Sequence, residues 1–214
     1  MKRNSIILAF FLSFFAVGIP SFAQDATAIL NESKERFDML KDFSAAFVYS
    51  IENPSKPLLI SKKGKLQYAK GKYALVMEDQ EIYCDGKSIW IHVPGENAEV
   101  NIMDYDPEEG VGFEQVFTLF NEEGINARYE DKQTVAGSSL DQIYLTISNS
   151  ALDFNQAMLW INETTKFLEK VVLTNRMQII TTYAFSNIKM DQGLPESTFV
   201  FDTVNFRGEV YDER

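Results

Sequence analysis

The feature that most constrains this chain is a long succession of short strand patterns joined by tight turns. Strands are expected near 43–51, 59–69, 72–78, 80–84, 88–93, 98–103, 127–135, 140–148, 156–161, 167–175, 177–187 and 197–202. Between them stand Asn53-Pro54-Ser55, Gly71, Asp79, Asp85-Gly86, Gly137-Ser138, Asn162 to Thr165, and Asn175-Arg176. These are turn formers, and connections this short join antiparallel neighbours. The chain is therefore expected to be mainly β, a meander long enough that it must curl to bury its edges.

One hairpin sharpens that expectation. In EIYCDGKSIWIHVP (Glu81 to Pro94) the Asp85-Gly86 turn is flanked by Ile82-Tyr83-Cys84 and Ile89-Trp90-Ile91. A hairpin with one wet face alternates apolar and polar residues. This one has apolar residues on both faces, so both must be covered. Upstream, Phe43, Ala45, Phe47, Tyr49 and Ile51 recur at every second position and share one face.

Two helices are expected. Ile29, Leu30, Phe37 and Leu40 form a stripe over Ala26 to Leu40, with Asp25 as N-cap. Phe113, Val116, Phe117 and Phe120 form another over Pro107 to Glu123, opened by Pro107 and stopped by Gly124. At the start, Lys2 and Arg3 precede an apolar run from Ile6 to Ile19 and a small-x-small site, Ser21-Phe22-Ala23. Residues 1–23 are thus expected to be a secretory signal peptide, cleaved after Ala23. Residues 24–214 are then expected to form a single domain.

Loss of Lys2 and Arg3 moves the net charge from -11 to -13. A chain this acidic is a poor general ligand for nucleic acid. Against that background Lys56, Lys62, Lys63, Lys65, Lys70 and Lys72 fall between Asn53 and Met77 with no acid among them. The run reads as a guarded strand edge or as a docking patch for an acidic donor transporter.

Signals of catalysis are weak. Cys84 is the single cysteine, so no internal disulfide can form, and His92 is the single histidine. No nucleophile elbow, metal-spaced His/Cys set or phosphate loop occurs. His92 reads as a strand residue, and no catalytic residue, metal or cofactor is assigned. Aromatic supply is the stronger signal. Of 17 phenylalanines, Phe10, Phe11, Phe14, Phe15 and Phe22 fall in the signal, which leaves twelve beside nine tyrosines and two tryptophans. A curled sheet with that content either packs solid or lines a ligand cavity.

The order of segments resembles the LolA family of periplasmic lipoprotein carriers. It runs signal, amphipathic helix, DFSAAFVYSI (42–51), GKLQYAKGKYALVM (64–77), DGKSIWIHVP (85–94), Phe-rich helix, and FVFDTVNFRGEVYDER (199–214). The D-G-K-x-x-W-x-x-x-P hairpin and the F-x-F-D…D-x-R ending carry most of the likeness. The resemblance implies an unclosed antiparallel β-barrel covered by the N-terminal helix and a short lid helix, around a hydrophobic cavity for acyl chains. Its lining candidates are Phe47, Tyr49, Leu66, Tyr68, Tyr73, Leu75, Met77 and Trp90. The lid candidates are Phe113, Val116, Phe117 and Phe120, with Lys70 where the family often has an arginine. Lys70-Gly71 stands in place of Arg-Pro and lacks the planar guanidinium fork.

The function so implied is non-enzymatic: a monomeric periplasmic carrier in a Gram-negative bacterium, moving acylated lipoproteins from inner to outer membrane. An ATP-driven inner-membrane transporter would be the donor, with an outer-membrane acceptor to follow. A carrier for another lipid, such as a glycolipid or lipid-linked pigment, is the alternative. A lipid esterase on the same scaffold is a further one.

Overall fold

A computed structural model of the protein describes residues 25–106, 124–149 and 152–214, with backbone alone at 56–58. The expected lid segment, with Phe113, Val116, Phe117 and Phe120, lies outside the described residues, as do residues 1–23. One α-helix is described, α1 (Ala26–Met39). Asp25 caps it by accepting a hydrogen bond from Thr27 N–H at 2.9 Å. Ala26, Ile29, Leu30 and Ser33 form its buried face.

Twelve strands follow: β1 (Phe43–Asn53), β2 (Lys56–Ala69), β3 (Lys72–Met77), β4 (Glu81–Cys84), β5 (Ser88–Val93), β6 (Glu99–Asp104), β7 (Ile125–Val135), β8 (Ser138–Ile147), β9 (Phe154–Asn162), β10 (Leu168–Asn175), β11 (Ile180–Met190) and β12 (Glu209–Asp212). They form one sheet in the order β12-β6-β5-β4-β3-β2-β1-β11-β10-β9-β8-β7. β7 and β12 are its two edges, so it is an unclosed sheet, and two meanders meet where β1 pairs with β11. Every pairing is antiparallel except β12 with β6.

The register carries one inner face across the sheet. Phe47 stands opposite Phe185 and Gly64, and Ala45 opposite Leu66. Leu66 then meets Leu75, Leu75 meets Ile82, and Ile82 meets Ile91. On the other wing Tyr183 faces Val171, Val171 faces Leu159, and Leu159 faces Ile143. Side chains alternate with period two, so this row points to a single side. It joins α1 in the main core, where Phe43, Tyr73, Leu66, Ile143, Leu159 and Phe167 are all but inaccessible.

The two apolar faces of the Asp85-Gly86 hairpin now have separate destinations. Ile82, Cys84, Ile89 and Ile91 belong to the inner core. Trp90 packs outside with Val100, Ile102, Tyr83, Phe201 and Phe206. The C-terminal segment thus covers the outer face of this wing. The turn itself is set by Asp85, whose Oδ1 accepts from Lys87 and Ser88 N–H at 2.9 Å each, and by Gly86 at φ +86°.

The C-terminus differs from the sequence reading in two places. Residues 197–202 are not a strand; Glu196–Phe199 is a 3-10 turn that follows Pro195, itself at φ -70°. Phe199 and Phe201 alternate like strand residues, but each is inserted by a loop, Phe199 at 1 % exposure and Phe201 against Tyr83 and His92. β12 had no sequence expectation because its four residues are all exposed and charged or mixed.

The junction of the two wings is tied by Asp42, which is 4 % exposed. Its carboxylate accepts from the N–H groups of Gln192 (2.7 Å), Gly193 (2.8 Å) and Leu194 (3.1 Å). Its carbonyl accepts from Asp191 N–H at 2.8 Å. Hydrogen bonds to a charged group contribute about 1.5–3 kcal/mol each, less what water regains at Gln192 and Gly193, which are exposed. Asp42→Ala should therefore destabilise the fold by about 3 kcal/mol, and Asp42→Asn by roughly half, in urea unfolding. A loss below about 1 kcal/mol in both would show that the segment after β11 is held by other contacts.

Candidate functional site

α1 covers one end of the inner face. Phe37 from the helix packs on Phe43 and Tyr68, with ring centroids 6.5 and 5.5 Å apart. Beyond its reach the same rows continue uncovered by any described helix, and there a cavity of about 310 Å³ opens. Five neighbouring strands and the turn after β3 build it: Phe47 and Tyr49 of β1, Ile60, Lys62 and Leu66 of β2, Leu75 and Met77 of β3, Ile82 of β4, Tyr183 and Phe185 of β11, and Gln80. Gly64 lies on this face between Phe47 and Met77. A Cβ there would come within 2.3 Å of Val76 O and 2.6 Å of the Phe47 ring, so glycine alone lets that ring lie flat on β2.

The lining is apolar with a thin polar rim. Lys62 is its single charged group among the described residues, and its Nζ is turned to Asp79 Oδ2 at 2.9 Å. The phenols stay neutral at ordinary pH. Burial pushes the Tyr183 hydroxyl up to about 12, with Tyr49 beside it adding to the effect. Burial also raises Tyr49, opposed by the Lys62 charge. The two rings lie 5.1 Å apart. They wall off a second, smaller cavity of about 190 Å³, lined further by Asp153, Phe154, Leu173, Asn175, Ile179 and Thr181.

Of the residues singled out from sequence, Phe47, Tyr49, Leu66, Leu75 and Met77 come together around the larger cavity. Tyr68 instead lies under α1, stacked on Phe37 and Phe43. Tyr73 is wholly buried in the core opposite Tyr68 and Cys84. Trp90 is on the other face, because its strand turns Ile89 and Ile91 inward. Lys70 is exposed at the β2–β3 turn. Ile60, Lys62, Gln80, Ile82, Tyr183 and Phe185 were missed. Alternation marks Tyr183 and Phe185 as one face of β11, but no local signal says that β11 lies beside β1.

His92 sits on the outer face between the rings of Phe201 (4.9 Å) and Phe206 (5.3 Å), with Nδ1 3.1 Å from Glu81 Oε2. Tyr83 donates to the same carboxylate oxygen at 3.1 Å, and its hydroxyl is pushed up to about 12 by burial and then by the Glu81 charge. Among the described residues no group of three or more His, Cys, Asp or Glu side chains could hold a metal ion. No described helix is long and apolar enough to cross a membrane.

An open antiparallel sheet wrapped on an N-terminal helix, with an apolar cavity left on its inner face, defines a class of half-barrel proteins with greasy interiors. The match to a known family is direct: residues 38–202 fit the family described as outer membrane lipoprotein carrier protein LolA, and the chain belongs to that family. Solved structures share the fold at low identity. An uncharacterized conserved protein from Thermus thermophilus aligns at 9 % identity and TM-score 0.56, over 88 % of this chain and 99 % of that one. The Mycobacterium tuberculosis lipoprotein LppX aligns at 14 % and 0.53, over 79 % and 97 %. LprF from Mycobacterium bovis aligns at 15 % and 0.53, over 79 % and 94 %. Among curated proteins none matches the sequence.

Two measurements bear on this geometry. Tyr183→Ala removes the wall between the cavities, so binding of a two-chain lipid should strengthen relative to a single-chain fatty acid. The truncation itself should cost about 3 kcal/mol of stability. An unchanged ratio of the two affinities would show that the cavities do not join. Alkali is the second probe. Tyr183 and Tyr83 hold their protons more tightly folded than unfolded, so their contribution is complete below pH 10, the ordinary tyrosine value, and is lost as pH rises toward about 12. Urea midpoints should fall across that window, and Tyr83→Phe with Tyr183→Phe should flatten the fall.

Proposed function

We propose that this protein is a periplasmic carrier that takes lipoprotein acyl chains into the inner-face cavity and moves them from the inner to the outer membrane. The observation that carries the reading is the cavity of about 310 Å³ in a LolA-family chain, walled by Phe47, Leu66, Leu75, Met77, Ile82 and Phe185, with the Lys62 charge drawn aside to Asp79. Each methylene hidden from water is worth about 0.8 kcal/mol, so a lipid anchor crossing an aqueous space needs such a shelter and no chemistry. Met77 suits varied chains because its thioether side chain is flexible. The volume is at the small end for ligand sites, so several chains require the face to widen, and the Tyr49–Tyr183 wall is where a second space adjoins.

Export through the signal at residues 1–23 supports a periplasmic location, and an ATP-driven inner-membrane transporter is the donor in this reading. A carrier of another lipid is the second reading. Lys70-Gly71, in place of the family's Arg-Pro, favours it by removing the guanidinium fork from the β2–β3 turn.

Leu75→Glu or Met77→Glu would place a carboxylate in apolar space. Each should weaken a fluorescent acyl probe at least about tenfold, since about 1.4 kcal/mol suffices for that factor, while circular dichroism stays unchanged. Equal affinity in wild type and both variants would sink the carrier reading. Mass spectrometry of lipids that co-purify with the native protein separates lipoprotein anchors from other cargo. Persistence of any esterase activity in His92→Ala would exclude a histidine mechanism for it.

A further inference from the structure

The lysines of β2 do not guard an edge. β2 is interior, paired with β1 on one side and β3 on the other. Lys63 and Lys65 alternate with Lys62 and Leu66, so they point to the outer face, away from the cavity. The register shows what accompanies them. Lys63, Val48, Ala184 and Lys170 stand in line across four strands, and Trp160 follows on the fifth. The next row is Lys65, Ala46 and Ser186; the one after is Gln67, Ser44 and Lys189. None of these four lysines forms an ion pair with a described residue, and Lys170 lies over the Trp160 ring at 4.4 Å.

Carboxylates are sparse on this face. Glu52 is at the far end of β1, and Glu169, at the β10 bulge, accepts from Asn162 Nδ2 at 2.7 Å. Glu78 and Asp79 border a shallow recess with Lys63, and Asp79 is taken by Lys62. In a chain of net charge -11 this is a concentrated exception.

We propose that the outer face of β2, β1, β11 and β10 is a docking surface for an anionic lipid bilayer. Between the lysines stand Val48, Ala184, Ala46, Ser186 and Ser44, none of them the large aromatic or arginine anchor around which protein–protein hot spots form. Lysines on long stems meet mobile headgroups as point charges. Trp160 is an amphipathic ring of the kind that sits at a membrane interface. At the end of the same strands Leu59 (47 % exposed) and Met177 (74 % exposed) stand in solvent on the β1–β2 hairpin and the β10–β11 turn, where a bilayer would accept them. The acidic remainder of the surface is repelled, so the face also sets orientation.

Flotation of the purified, cargo-free chain with vesicles tests this independently of the carrier reading. Wild type should associate with phosphatidylcholine–phosphatidylglycerol vesicles, more weakly as salt rises, and not with phosphatidylcholine alone. Lys63→Glu/Lys65→Glu/Lys189→Glu should lower that association at least about tenfold. Lys34→Glu/Lys41→Glu/Lys87→Glu, with the same net charge, should stay within about threefold of wild type. Leu59→Ser/Met177→Ser should weaken it without changing its salt dependence. Absence of wild-type association, even if an acidic protein binds the face, overturns the proposal, as does an equal fall in both triple variants. Acyl-probe affinity measured in the same samples reports on the cavity alone, so each reading can fail without the other.

Discussion

The structure depends on the antiparallel pairing of β1 with β11. Each wing of the sheet is a meander whose strands find their neighbours through short turns. This pairing joins them at the centre of the sheet, as the shorter parallel pairing of β12 with β6 does at its edge, and it brings together residues more than a hundred positions apart. A long loop closure of that kind is slow and entropically costly, so it needs a specific reward. Phe47 against Phe185 and Tyr49 against Tyr183 provide part of it. Asp42 provides the rest, by holding the chain as it leaves β11.

The cavity is a consequence of that joint. Its lining comes from β1 to β4 on one wing and from β11 on the other, so neither wing could build it alone. α1 is short and fills one end of the inner face, where Phe37, Phe43, Tyr68 and Phe167 pack ring against ring. At the other end the same apolar rows run on with Gly64 opening room above β2. Packed core and cavity are thus one surface, divided by how far the helix reaches. The outer face is divided too. The C-terminal segment covers its β4–β6 part through Phe201 and Phe206, and the lysine rows occupy its middle.

Local signals made most of this chain legible. Period-two apolar patterns and turn formers marked eleven of the twelve described strands, and Asp25 with the stripe after it marked α1. Alternation also put Phe47 and Tyr49 on one face of β1, while the family resemblance pointed to Leu66, Leu75 and Met77, which converge with them on the cavity. Alternation could not tell the inner face from the outer on the Asp85-Gly86 hairpin, where both are apolar, and Trp90 entered the lining candidates through the resemblance alone. Nor could it separate Tyr68 and Tyr73, which share parity with true lining residues, because the helix above them belongs to another part of the chain.

By itself, then, the sequence determined element type, the antiparallel order within each wing, and an excess of apolar surface beyond what one core face needs. Those are properties of residues close in the chain, where turn chemistry and side-chain period act directly. Tertiary structure alone decided that β11 lies beside β1, that Tyr183 and Phe185 line the cavity, and that β2 is interior, which changes the meaning of its lysines. It also turned Phe199 and Phe201 from apparent strand residues into loop-borne plugs. Each of these rests on contacts between distant segments, whose partners leave no mark in either segment's own pattern.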